Sequence, residues 1–116
     1  MNLFRSVTDA QMVPAGGEIC RQGEPGDSMF VIVEGTVEAI RGEKLLGTMG
    51  PGEFFGEISL LHKTPRAATA RAVTDCRIAT VDEKRFLFMV QQTPYFALEI
   101  MRTITGRLKE RLEEKR

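Results

Sequence analysis

Glu57 and Arg66 carry the clearest chemistry in the chain, within the run Phe55-Gly56-Glu57-Ile58-Ser59-Leu60-Leu61-His62-Lys63-Thr64-Pro65-Arg66-Ala67-Ala68-Thr69. A guanidinium makes paired, charge-assisted hydrogen bonds to phosphate or carboxylate. Gly52 and Gly56 let the backbone turn tightly and expose N–H groups. Glu57 to Leu61 can form one helical turn, whose first N–H groups have no intrahelical acceptor and point back at the loop. The run therefore suits an anion held by Arg66 and by backbone amides. The same two side chains could instead pair with each other, as an ion pair closing a surface loop. Residue type and spacing leave both arrangements open.

Other chemistries are poorly served. The 116 residues contain two cysteines, Cys20 and Cys76, and a single histidine, His62. Two cysteines cannot build a disulfide framework or a four-cysteine zinc site. One histidine excludes multi-histidine metal cages, and no G-x-S-x-G elbow accompanies it. His62 reads as a surface loop residue. Both cysteines lie in apolar-alternating stretches and read as buried structural thiols. No catalytic residue, metal or cofactor is expected, so the chain reads as a non-enzyme.

The elements that must position the run follow from punctuation and period. Short apolar segments alternate with glycine turns from residue 10 to 82, and ten of the 11 glycines lie there. Met12-Val13-Pro14, Ile19-Cys20, Met29 to Val33, Thr36 to Ile40 and Leu45 to Met49 are such segments. Thr69 to Val73 and Arg77 to Val81 read as two more strands around the Thr74-Asp75 turn. Strands between turns about 8–12 residues apart indicate a sandwich or barrel. After Val81 the period changes. Asp82 is a good N-cap, and Phe86, Leu87 and Val90 mark a helix to about Gln92. Thr93 and Pro94 start a second helix, with Ala97, Met101, Ile104, Leu108 and Leu112 as its stripe. The fold expected is mainly β with C-terminal helices, an antiparallel, jelly-roll-like β-roll of about eight strands.

Composition agrees with one folded domain: 42% hydrophobic and 28% charged residues, ordinary globular values. Sixteen basic and 16 acidic groups cancel, so the whole chain lacks the basic footprint of a nucleic-acid binder. Residues 1–62 hold 4 basic and 9 acidic groups (net −5), leaving 12 and 7 for residues 63–116 (net +5). A solvated helical face accounts for most of that asymmetry. No apolar run approaches the roughly 20 residues of a membrane helix, and the start lacks a signal peptide's apolar core. A cytoplasmic location and no membrane segment are expected.

The run from Phe55 resembles the phosphate-binding cassette of cyclic nucleotide-binding domains. That pattern is Phe-Gly-Glu, Leu or Ile, Ala or Gly, Leu, a short loop, then Pro-Arg, Ala, Ser or Thr, and Ala-Thr. Ser59 is the one departure, at the fifth position. Pro14 to Ile19, Gln22 to Ile32, Glu34 to Val37 and Asp82 to Phe86 resemble the family's strands, turns and first C-terminal helix in order. The resemblance implies one cyclic nucleotide-binding domain over residues 1–116. Its β-roll would span about 10–81 with the cassette at 55–69, and its helices 82–92 and 94–113.

It also implies roles. Glu57 would accept a hydrogen bond from the ribose 2′-hydroxyl. Arg66 would pair with the cyclic phosphate, and backbone N–H groups around Gly56, Ile58, Ser59 and Ala67 would complete the cradle. Val31, Val33 and Ile58 are candidates for the purine surface, and the last helix would close over the base. Members favouring cyclic GMP often carry Thr after the cassette arginine. Ala67 stands there, which favours cyclic AMP. Three readings follow: a cyclic AMP sensor, a scaffold of the same fold that has lost the ligand or senses another, and a cupin-like enzyme, which the histidine count disfavours. The spacing of Ala97, Met101, Ile104 and Leu108 also fits a homodimer seam. The output such domains control is expected in an unidentified domain or partner.

Overall fold

The computed structural model describes residues 10–114. Eight strands form two four-stranded antiparallel sheets. They are β1 Gln11–Val13, β2 Glu18–Cys20, β3 Ser28–Glu34, β4 Val37–Arg41, β5 Lys44–Met49, β6 Phe54–Phe55, β7 Thr69–Ala72 and β8 Cys76–Asp82. One sheet has the order β1-β8-β3-β6 and the other β2-β7-β4-β5. A six-residue helix, α1 Glu57–His62, follows β6. Helices α2 Glu83–Gln92 and α3 Tyr95–Glu114 end the described chain. This is the expected β-roll with C-terminal helices. The chain divides into two compact units, the first running to Glu83 and the second starting at Lys84.

Alternation along the strands builds the core of the first unit. Phe30 and Ile32 of β3, Ile78 of β8, Val13 and Phe55 meet Val37, Ala70 and Ala72 of the other sheet. The intervening residues Met29, Val31, Ala79 and Val81 are fully buried on the opposite face of their sheet. Strand β3 is thus apolar on both faces, which is why it reads as an unbroken run of Met, Phe, Val and Ile.

β7 and β8 do flank the Thr74-Asp75 turn, but they are not a hairpin. β7 pairs with β2 and β4, whereas β8 pairs with β1 and β3. The turn carries the chain from one sheet to the other. It is held by Ala15 N–H donating to Asp75 Oδ1 at 2.9 Å and Thr36 N–H to Thr74 Oγ1 at 3.0 Å. Gly35 sits against it, where a Cβ would come within 2.5 Å of the Asp75 carbonyl oxygen. Cys76 is fully buried, as expected, but Cys20 is only half-buried.

In the second unit, Thr93 N–H donates to Met89 O at 2.8 Å and closes α2, while Thr93 O accepts from Phe96 N–H at 2.9 Å. Phe96 packs on Phe86 with ring centroids 5.3 Å apart. The stripe expected along α3 needs correction. Phe96 and Ile100 are the buried residues, whereas Met101, Leu108 and Leu112 are more than half exposed. α3 carries apolar residues on more than one face, so period alone picked a stripe displaced from the covered one.

Candidate functional site

Arg66 stands at the centre of the site, and it is buried, with 7% of its surface exposed. Its backbone is fixed first. Arg66 N–H donates to Glu24 O at 2.8 Å, and Gly23 N–H donates to Arg66 O at 2.9 Å. The loop after β2 therefore straps the end of the cassette. The guanidinium lies 4.8 Å from the centroid of the Phe30 ring, a cation–π contact. Phe30 in turn packs on Phe55 at 5.2 Å. Nη1 donates to the Ser28 carbonyl oxygen and, at 3.4 Å, to Gly56 O; Nη2 donates to Ser28 Oγ at 3.0 Å. All three acceptors are neutral. A buried cation bonded to neutral oxygens is suited to receive an anion, because burial makes an unbalanced charge costly.

Two glycines make room for this side chain. A Cβ on Gly26 would lie 2.4 Å from Arg66 Nε and 2.6 Å from Cζ. A Cβ on Gly56 would lie 2.8 Å from Nη1. Gly56 is also left-handed, with φ of 81°, as the residue that turns β6 into α1. The first bond of that helix runs from Leu60 N–H to Gly56 O at 3.4 Å. The amides ahead of it have no intrahelical acceptor.

The structure brings Gly56 and Arg66 together. Glu57, half-buried in the first turn of α1, has a partner within the protein. Ile58 is 53% exposed, while Ser59 is buried and Ala67 exposed. His62 ends α1 on the surface instead of lying in a loop. Val31 cannot serve as purine surface. It is fully buried on the face of β3 opposite Phe30, and Phe30 is the residue that meets Arg66. Val33 falls where the β3–β8 register shifts, between Ile32 and Glu34. Ser28, Phe30 and Gly26 are the participants that the sequence reading missed. Their signal was parity: a residue two before Phe30 on the same strand faces the same side.

Cys20 lines the same unit, with its thiol 3.8 Å from the Ala68 carbonyl oxygen. Burial pushes its pKa up, against a smaller lowering by a backbone hydrogen bond and the Arg66 charge. No group of three or more His, Cys, Asp or Glu side chains that could hold a metal occurs among the described residues.

Comparison with known proteins shows the family. The family model for the cyclic nucleotide-binding domain matches residues 10–93. The chain belongs to the cyclic nucleotide-binding domain family. It is 42% identical over 93 residues to a cyclic nucleotide-gated potassium channel of Mesorhizobium japonicum, a match spanning 80% of this chain and 25% of the channel. Among solved structures, the Thermus thermophilus catabolite activator protein superposes with a TM-score of 0.79 at 28% identity, covering 95% of this chain and 59% of that one. A protein from a cyclic-GMP-dependent signalling pathway of bacterial phytopathogenesis gives a TM-score of 0.77 at 31% identity, with 87% and 84% covered. The chain thus spans a quarter of the channel's length. Among the described residues no helix is long and apolar enough to cross a membrane.

Proposed function

We propose that this chain is a cytoplasmic sensor module that binds cyclic AMP in preference to cyclic GMP and works by binding, with no catalytic step and no cofactor. The phosphate would sit on Arg66 and on the backbone amides of Gly56, Ile58, Ser59 and Ala67. Glu57 would take the ribose 2′-hydroxyl, and exposed Ile58 would offer surface to the purine. The observation that carries this reading is the buried Arg66 guanidinium, hydrogen-bonded to neutral oxygens beside the start of α1. The preference for cyclic AMP rests on Ala67, which lacks a hydroxyl for the guanine amino group.

Binding becomes a signal only if the ligand has different affinities for two states. Cassette contacts are available in either state. Closure of α3 over the base, with Gln92-Thr93-Pro94 as hinge, would supply the difference. Calorimetric titration with cyclic AMP, cyclic GMP and 2′-deoxy cyclic AMP tests the reading. Cyclic AMP should bind tightest, and the deoxy analogue should show the deficit of a Glu57→Ala variant. Ala67→Thr should move the ratio toward cyclic GMP by up to about tenfold, the scale of one neutral hydrogen bond. No binding of either nucleotide would make the chain a scaffold of this fold.

A second reading concerns partners. Leu98, Met101, Leu108 and Leu112 of α3 are all exposed. With Thr105, also exposed, they recur at intervals of 3, 4, 3 and 4, a heptad seam. A second copy of this chain would cover that face, a state that concentration-dependent sedimentation reads directly.

A further inference from the structure

The contacts of Arg66 assign a task to Ser28, a residue outside the cassette. Ser28 opens β3 and is itself buried, with 7% of its surface exposed. It meets the guanidinium with two oxygens at once, its carbonyl on Nη1 and its hydroxyl on Nη2 at 3.0 Å. Two neighbouring acceptors from one residue fix the plane of a guanidinium as well as its position, because both donors belong to one rigid fork. Phe30 supports that plane from the same strand, and Gly26 leaves no room for the side chain to swing toward the loop.

We propose that Ser28 is a positioning residue for phosphate recognition: its paired oxygens hold the Arg66 fork in one orientation, leaving its other N–H donors for the anion. The proposal rests on the cyclic nucleotide reading given above and adds to it a residue acting only through Arg66. The physical ground is pre-organisation. A long side chain already held in its binding rotamer has less freedom to lose when the anion arrives. The hydroxyl hydrogen remains able to turn toward another acceptor, so Ser28 can hold the cation without donating to it.

The test is a double-mutant cycle on the full chain, read by calorimetric titration with cyclic AMP, with thermal unfolding to check each variant's fold. Ser28→Ala should weaken binding about tenfold, the scale of one hydrogen bond to a charged group. Ser28→Thr keeps the hydroxyl and should bind within about threefold of the unmutated chain. On an Arg66→Lys background the Ser28→Ala penalty should shrink below about twofold, because an ammonium has no fork to orient. A merely structural Ser28 would give the same penalty on both backgrounds. That result, or unchanged binding by Ser28→Ala, overturns the proposal. A measurement on the unmutated chain needs no variant. Side-chain nitrogen NMR should resolve separate, slowly exchanging Nη1 and Nη2 signals for Arg66, and averaged signals would equally overturn it. If the unmutated chain binds neither cyclic nucleotide while Arg66 still shows resolved signals, the functional reading fails and the held guanidinium does not.

Discussion

The surroundings of Arg66 and the outer face of α3 are built on opposite terms. Around Arg66 each part constrains another: strap, aromatic ring, two Ser28 oxygens and two glycines with no room for a Cβ. Along α3, Leu98, Met101, Leu108 and Leu112 are exposed, and a Cβ on Gly106 would meet nothing within 4 Å. Tight mutual constraint is what recognition of a small anion needs, because a misplaced fork forfeits its hydrogen bonds. An open, apolar, under-packed helix is what a responding element needs, because it can gain contacts in a second state. Substitutions around Arg66 should therefore act on anion affinity itself, and substitutions on the exposed face of α3 on association and helix stability.

The strongest way to break that contrast is Arg66→Ala. Charged hydrogen bonds contribute roughly 1.5–3 kcal/mol each, so cyclic AMP binding should weaken about a hundredfold or more while the domain stays folded. An unchanged dissociation constant removes the phosphate assignment. Gly26→Ala comes next. The added Cβ would collide with the held guanidinium arm, so Arg66 must leave its bonds to Ser28 and Gly56, and affinity falls by about ten- to a hundredfold together with some loss of stability. If Gly26→Ala binds normally, the fit around Arg66 is looser than described.

Substitutions on α3 should sharpen the contrast from the other side. Leu98→Glu with Leu108→Glu should abolish any concentration-dependent association in sedimentation while leaving the fold intact. Persistent association would place the contact between copies elsewhere. Gly106→Ala should raise stability by about 1 kcal/mol, the usual helix-propensity gain, measured as a higher Tm. A fall in Tm would mean that α3 is not helical there in solution.

Cys20 gives the smallest effect, and its sign is fixed. Burial raises the folded-state thiol pKa above its unfolded value. The contribution is thus fully present below the unfolded pKa of about 8.5 and is lost as pH rises from there toward the raised folded value. Thermal stability should decline more steeply above about pH 8.5 for the unmutated chain than for Cys20→Ala. Parallel curves would mean that the thiol ionises as freely folded as unfolded.

Much of the architecture was legible in the sequence because glycine turns and β-branched runs report strands locally. β3 and β4 are examples, each announced by its residues and ended by a turn. β6 was missed, since two phenylalanines between Gly52 and Gly56 make too short a run to show a period. The pairing of β7 and β8 was also hidden, because adjacency along the chain does not say which sheet each joins. At the site, residue type pointed to Arg66 and motif resemblance to Gly56, but Ser28, which meets the guanidinium with two oxygens, lies 38 residues away in sequence. Only the folded sheet brings Ser28 there. Val31 failed for a related reason: an apolar residue on a strand buried on both faces carries no mark of which face it takes.

Hydrogen exchange with and without cyclic AMP reads the cassette and α3 in one experiment. The ligand should slow exchange at Ile58, Ser59 and Ala67, and also along Thr93 to Leu108 as α3 closes. Slowing in the cassette alone would make the chain a passive binder. Slowing on α3 with none around Arg66 would mean that the nucleotide binds away from the cassette.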